Sequence, residues 1–521
     1  MKKIFIYTAI LATVATACSK LENEPLQKDV DPDSDVVMIT EKVSANVDPS
    51  SKADIDADAK FTWSTGDQLA VHVNNGQYYT TTALASGGSK SATFSVTYPD
   101  GQSRDAFAIY PASIVATDAA NYGQSGTALD VTLPASYTLA EVSETKTPCP
   151  MIATNEAGNG WTFSQLCGLL RLTVNSIPSD ATGMVIQFPG KKVNGAFSIA
   201  SAVTPGTSII ATDTPADGED KITITFAVGT TTATVNIPLP TGTYDYLYIT
   251  PVGSTTKVAA IRNINSISAP TVPYSAKRAH AKKLTTAMVS FSVSDTKKVF
   301  FSPGNLVKTD AAYTVGSGSE TYAFEAKPFN TNGGSLGYNS SPLETSARGY
   351  FTWNEIATAS ETPRPFTVNG ILGWKAMTFD EWNYLYFDGR TMNTGVHRCY
   401  IVDLGSDGDQ IGMLLPPDGA TLIDVADLEE DKDYITEDVD LETYISKGFV
   451  FLPASGYCSV GYMGEYWDEA GDNGYYWYTT EDGPSKAYYL NFYDCGYSES
   501  SENKTPSTTY AYYCSVRLIH E

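Results

Sequence analysis

Phe61-Thr62-Trp63-Ser64-Thr65-Gly66-Asp67-Gln68-Leu69-Ala70-Val71 is the stretch that decides the fold class of this chain. Gly66-Asp67 is a turn pair, because glycine accepts positive φ and aspartate bonds back to its own backbone. Behind the turn, Gln68 to Val73 reads as a strand. Ahead of it, Phe61 and Trp63 are alternate residues on one face, so both pack inward. The same unit recurs along the chain. Short runs of Val, Ile, Thr, Phe and Tyr, bounded by Gly, Pro, Asn, Asp and Ser, appear from Ser91 to Thr97, Leu169 to Val174, Lys221 to Val228 and Tyr244 to Thr250. This pattern predicts a mainly β chain of antiparallel sandwiches. Few amphipathic helical stretches interrupt it, and no repeat of a solenoid type is visible.

The chain has 521 residues, enough for three or four domains. Asp+Glu 59 against Lys+Arg 34 gives a net charge of -25. No nucleic acid partner is expected from such a balance, since phosphates need a basic patch. Docking on anionic lipid through a polybasic surface is disfavoured for the same reason. The histidines are His72, His280, His397 and His520. None stands near another, so neither a zinc site nor Ser-His chemistry is expected, and no cofactor is called for.

The amino terminus carries its own signal. Lys2 and Lys3 precede an apolar run from Ile4 to Val14, and Ala15-Thr16-Ala17-Cys18 then sets small residues before a cysteine. That order reads as a secretory signal (1–17) ending in a lipobox, with Cys18 as the lipid-bearing residue. The run is too short to span a bilayer, which takes about 20 residues. Ala15 stands where leucine is usual, and a plain signal peptide cut near Ala17 is the alternative. Both readings place the protein outside the cytoplasm, and the first holds it to the outer membrane by acyl chains. Residues 18–35 are polar and read as a flexible tether. The other six cysteines are Cys149, Cys167, Cys399, Cys458, Cys495 and Cys514. They form no C-x-x-C unit, so disulfides and buried free thiols both stay open.

Two breaks divide the rest into 36–160, 161–287 and 288–521. One lies near Trp161, ahead of the apolar strand from Cys167 to Val174. The other follows the basic stretch Lys277-Arg278-Ala279-His280-Ala281-Lys282-Lys283, read as a solvated strand edge that discourages pairing. Beyond Met288 tyrosine and tryptophan become frequent. Asp424 to Glu442 reads as an acidic surface insertion with a short helix.

The first half resembles the fimbrillin-like proteins of the Bacteroidetes. The resemblance rests on the Trp63-Ser64-Thr65-Gly66-Asp67 strand entry, on Phe107-Ala108-Ile109-Tyr110-Pro111, on Pro150-Met151-Ile152-Ala153 followed by Phe163 to Leu172, and on Tyr248-Ile249-Thr250-Pro251. It covers about residues 36–287. It implies two tandem transthyretin-like β-sandwiches in a pilus subunit or accessory anchor. Such subunits polymerise when a strand of one completes the sheet of another, through main-chain hydrogen bonds and side-chain pockets. In the family, cleavage after an arginine frees the first strand. Here that strand is Val36 to Val47, no arginine precedes Arg104, and Lys52 is the processing candidate.

Residues 288–521 resemble a different group, the Fibrobacter-type major paralogous domain. The residues that carry this are Phe291-Ser292-Val293-Ser294, Val299 to Leu306, Trp374 to Leu385, Phe449 to Tyr457, Gly474 to Thr480 and Cys514 to Ile519. The resemblance implies an α+β C-type-lectin-like fold. Formylglycine-generating enzymes share that fold, but their paired reactive cysteines have no match here, so no catalytic residue is assigned. Thr378-Phe379-Asp380-Glu381 reads as a capping box, with Trp382 and Leu385 on one helix face in the core. Tyr475, Trp477 and Thr479 alternate on one strand face, and Trp477 is read as core.

Tyr462 to Asn473 reads as a loop of glycines, aromatics and carboxylates. In it Tyr466 and Trp467 offer a platform for a sugar ring, and Asp468, Asp472 and Asn473 offer hydroxyl partners. A loop packed over the core is the competing reading. Asp403, Asp407 and Asp409 are the calcium candidates, set against a plain solvated turn, and no metal is assigned. Taken together these residues predict a tip or adhesin fimbrial subunit on the cell surface, whose partners are other fimbrial subunits and a host or microbial glycan or surface protein. The alternatives are an outer-membrane lipoprotein that captures glycans without polymerising and, third, an enzyme on the formylglycine-generating fold.

Overall fold

The computed structural model describes residues 27–30, 37–47, 62–115 except 75, 129–155, 160–199, 209–267 except 214–215, 281–309, 321–324, 350–403 except 359, 411–428, 439–461, 464–503 except 471, 483–485 and 494–495, and 510–521. The architecture is mainly β, as the alternation predicts.

The first body is built from β1 (Gln27–Val30), β2 (Val37–Val47), β3 (Ala70–Val73), β4 (Tyr78–Thr80), β5 (Ser91–Pro99), β6 (Arg104–Tyr110), β7 (Leu129–Leu133), β8 (Ser136–Thr138), β9 (Met151–Asn155) and β10 (Trp161–Gln165). Its main sheet runs β1-β2-β10-β9-β6-β3-β4, and β5 pairs with β2 as well. Trp63, Phe94, Val96, Ile109, Trp161 and Phe163 fill the core beneath it. Gly66 has φ +93°, the conformation that the turn before β3 asks of glycine.

The second body consists of β11 (Gly168–Asn175), β12 (Gly183–Gln187), β13 (Gly195–Ile199), β14 (Lys221–Thr225), β15 (Ala233–Leu239), β16 (Gly242–Val252), β17 (Ala260–Ile267) and β18 (Ala281–Ala287). Two sheets, β15-β11-β18 and β17-β16-β12-β14-β8, enclose Leu170, Leu172, Ile186, Val235 and Ile249. β18 is an edge strand on which Lys283 is exposed, in keeping with the solvated edge read from the basic stretch.

The boundary between these bodies differs from the expected one in two ways. Trp161–Gln165 does not open the second sandwich. It pairs antiparallel with β9 and parallel with β2, so the first body closes at Leu166-Cys167. The bodies also interleave. β8 pairs with β14 and sends Tyr137 into the second core, while β13 pairs with β7 and sends Phe197 and Ile199 into the first. An apolar strand carries no label for the sheet it joins, and here the hairpin with β9 decides.

In residues 288–521, Phe300 and Phe301 pair with His520 and Ile519, which brings the two ends of the region together. Strands Tyr400–Asp403, Ile411–Leu415 and Val450–Pro453 form one sheet, and Ser455–Gly461 to Tyr510–Tyr513 form another. The helix Phe379–Asn383 starts at the predicted box: Thr378 Oγ1 accepts from the Glu381 amide and Glu381 Oε2 from the Thr378 amide. Trp382, Leu385 and Trp477 are core, the last donating its indole N–H to the Phe351 carbonyl at 2.7 Å. The helix Leu441–Ser446 begins where the acidic insertion ends, and residues 429–438 of that insertion lie outside the described residues.

This region packs on the outer face of β16 and β17. The register sets Tyr246 beside Asn263 and Tyr248 beside Ile261. Tyr246 meets Phe324 and Trp374 edge-to-face at 5.4 and 6.4 Å, and Tyr248 meets His520 at 6.1 Å. Asn369 donates to Asp245 at 2.6 Å, and Arg262 pairs with Glu442.

Candidate functional site

β2 is the element on which strand exchange would act, and it lies inside its sheet. Met38 to Asn46 pair antiparallel with β5 from Pro99 to Ser91. On the other flank β1 pairs with Val37 to Thr40, and β10 pairs with Ala45 to Val47. Among the described strands, neither pairs with residues 41–44 on that flank. Alternation points Ile39, Val43 and Ala45 into the core and leaves Lys42 exposed. Under them Trp63 is fully buried, in edge-to-face contact with Phe94 at 5.1 Å and with Phe163 at 5.4 Å. Its indole N–H reaches the Ala45 carbonyl at 3.2 Å.

Glu41 shares the inward parity of Ile39 and Val43 but is charged. Tyr98 donates its hydroxyl to Glu41 Oε2 at 2.7 Å, and Arg104 donates its Nε to Oε1 at 2.8 Å. The Arg104 guanidinium stands 5.2 Å from the ring centroid of the fully buried Trp161. Burial and the neighbouring carboxylate hold the Tyr98 hydroxyl protonated, well above the usual tyrosine range. Sequence reading missed this group. The signal available was a single acidic residue at an inward position of an otherwise apolar alternation.

The predicted sugar platform is arranged differently from the expected loop. Gly464–Ala470 is a strand that pairs antiparallel with Ser455–Gly461, because the run after Val450–Pro453 turns back on itself. Trp467 stands opposite Cys458, Tyr466 opposite Ser459 and Asp468 opposite Tyr457. Directly opposed residues share a face and successive residues alternate. In register, therefore, Asp468 belongs with Tyr457 and Trp467 with Cys458. Asp472 is exposed and Asn473 half-buried in the following turn. Tyr457 begins an aromatic row. Tyr457 and Tyr475 have ring centroids 4.8 Å apart, and Tyr475 and Tyr489 5.4 Å. Tyr457 and Tyr475 are half-buried.

Asp403 closes the strand Tyr400–Asp403 and is half-buried; Asp407 and Asp409 lie outside the described residues, as do Cys18, Lys52 and Phe61. Among the described residues no group of three His, Cys, Asp or Glu side chains is placed to hold a metal ion. Cys149 and Cys167 are free and buried, and Cys399 and Cys514 are buried as well. Burial pushes the Cys149 and Cys167 thiols up, away from the thiolate that reactive cysteines need.

No protein-family model matches the chain, and no curated protein matches it significantly. Among solved structures, similarity is found to a candidate cell adhesion protein of Bacteroides ovatus, at 13% identity and TM-score 0.28, covering 44% of this chain and 87% of that one. The tip fimbrial protein Mfa3 of Porphyromonas gingivalis, with C-terminal truncation, is similar at 13% identity and TM-score 0.20, covering 42% of this chain and 79% of that one. A fimbrial protein of Bacteroides ovatus is similar at 10% identity and TM-score 0.18, covering 91% of this chain and 99% of that one. At these TM-scores none of the three likenesses establishes a shared fold.

Proposed function

We propose that this chain is a lipid-anchored fimbrial subunit of the bacterial outer surface that caps a fibre and adheres through its carboxy-terminal region. The observation that carries the reading is the place of β2. An amino-terminal strand that fills the middle of a sheet, over Trp63 and Phe94, leaves an unpaired edge and an apolar groove when it departs, and a strand from another subunit fits that vacancy. The motifs quoted for residues 36–287 support it as well. The cap reading follows from β18. This last strand of the second body is paired along β11 and runs straight on into Met288 and the following region. It is not free to be donated, so the chain accepts a strand and gives none. Lipidation at Cys18 delivers the chain to the membrane, and cleavage at Lys52 releases β2. Gold-labelled antibody against residues 288–521 is expected at fibre ends in electron micrographs; label at regular intervals along the shafts refutes a cap.

Residues 288–521, in this reading a C-type-lectin-like domain, supply the adhesive face. The aromatic row of Tyr457, Tyr475 and Tyr489 is the part of it suited to sugar, since rings offer stacking area. On a glycan array the full chain is expected to bind weakly, with avidity from many fibres. Tyr457→Ala is expected to weaken binding about tenfold, equivalent to ~1.4 kcal/mol. Trp467→Ala is expected to leave it unchanged. The reverse order of effects assigns the site to Trp467.

A further inference from the structure

The groove beneath β2 is not uniformly apolar. Of the inward positions, Ile39, Val43 and Ala45 meet core side chains, while Glu41 meets a hydroxyl and a guanidinium. Both partners come from outside β2. Tyr98 lies two residues along β5 from Val96, the residue directly opposite Glu41. Arg104 opens β6 and rests on the ring of Trp161 in β10. Arg104 stays with the sheet when β2 leaves, because β6 pairs with β3 and β9, whereas Tyr98 rides on β5, whose ladder is with β2 and re-forms against the strand that refills the place. The Glu41 and Arg104 side chains are each only 24% exposed, so water screens this pair little.

We propose that the strand which takes the place of β2 is a segment of another fimbrial subunit carrying a carboxylate at the Glu41 position, in the pattern branched aliphatic, any residue, acidic, any residue, branched aliphatic, any residue, small. Tyr98 and Arg104 read that carboxylate and so set the register. This rests on the strand-exchange reading above and adds the chemistry of the partner. An apolar residue at that position leaves a half-buried guanidinium and a phenol without their acceptor, and an unmade bond to a charged group costs more than an apolar contact returns. A slip of one residue turns the whole apolar set outward. A slip of two keeps the faces but sets an aliphatic side chain against Arg104. Apolar pockets alone separate these registers poorly, because Ile and Val fit many of them, whereas a single charge-assisted pair fits one.

The test uses the full chain with a site-specific protease sequence placed between residues 48 and 62, so that after cutting β2 is held without a covalent link. A fluorescein-labelled peptide with the sequence of residues 36–48 is exchanged in and its affinity read by anisotropy. Two further peptides carry the Glu41→Gln and Glu41→Leu changes. The expected order is Glu, then Gln, then Leu, with the Leu peptide weaker by roughly ten- to hundredfold. This comparison leaves Tyr98 and Arg104 unaltered, so it does not depend on a groove variant folding. In a Tyr98→Phe chain, which keeps the ring and loses the hydroxyl, the spread between the Glu and Leu peptides is expected to narrow. Equal affinities for the Glu and Leu peptides overturn the carboxylate requirement and leave strand exchange standing. Failure of every peptide to exchange overturns strand exchange itself, and the requirement with it.

Discussion

Trp63→Ala is expected to cost the first sandwich about 3–5 kcal/mol, the range for truncating a large aromatic in a core. Trp63 is fully buried and touches Phe94, Tyr110 and Phe163 edge-to-face at 5.1, 5.4 and 5.4 Å. Each of these pairs adds to the area term. Its indole N–H bond to the Ala45 carbonyl ties the core to β2. The loss therefore shows in two ways. In urea the transition belonging to the first sandwich moves to lower denaturant while the others hold, since a chain of several bodies does not unfold in one step. In the cut chain β2 leaves faster. Trp63→Phe weights the two effects differently, because it keeps most of the apolar area and removes the donor. It is expected to change the release of β2 more than the midpoint. An unmoved first transition in Trp63→Ala contradicts the assignment of this residue to the core.

The second large effect is expected at Trp374. Its side chain is fully buried where residues 288–521 meet the second sandwich. Phe324 lies 4.9 Å away, His520 5.2 Å and Tyr246 6.4 Å, ring to ring. Trp374→Ala opens a cavity in a cluster that belongs to both bodies, with an expected loss of about 3–5 kcal/mol. The loss falls on the carboxy-terminal region and on its docking together, so calorimetry is expected to show their shared transition split in two. Tyr246→Ala removes the ring from the sandwich side of the same contact. It is expected to split the transition while leaving the midpoint of residues 288–521 closer to that of the unaltered chain. A single transition in both variants shows that the two bodies do not couple through these rings.

Local chemistry was legible wherever a short stretch contains its own reason. The turn at Gly66-Asp67 needs only a residue that accepts positive φ, and the helix at Thr378 needs only the reciprocal bonds between Thr378 and Glu381. Strand alternation and the burial of Trp63, Trp382 and Trp477 follow equally from neighbours in sequence. The candidate site was less legible. Tyr466, Trp467 and Asp468 read as part of a loop, whereas Gly464–Ala470 is a strand whose partner, Ser455–Gly461, is chosen by backbone pairing that the local sequence does not announce.

What the sequence by itself determined is the class of structure: β elements, their turns, their inward residues and the composition of three regions. Those are set by φ, by side-chain period and by capping bonds within a few residues. Which sheet each strand joins was decided only in the tertiary structure. Trp161–Gln165 went to the first sheet through β9, Ser136–Thr138 went to the second through β14, and Glu41 found Tyr98 and Arg104 across separations of 57 and 63 residues. Strand pairing is made by backbone groups that every residue carries alike. Partner and register are therefore chosen by the whole set of long-range contacts, and no single segment contains that choice.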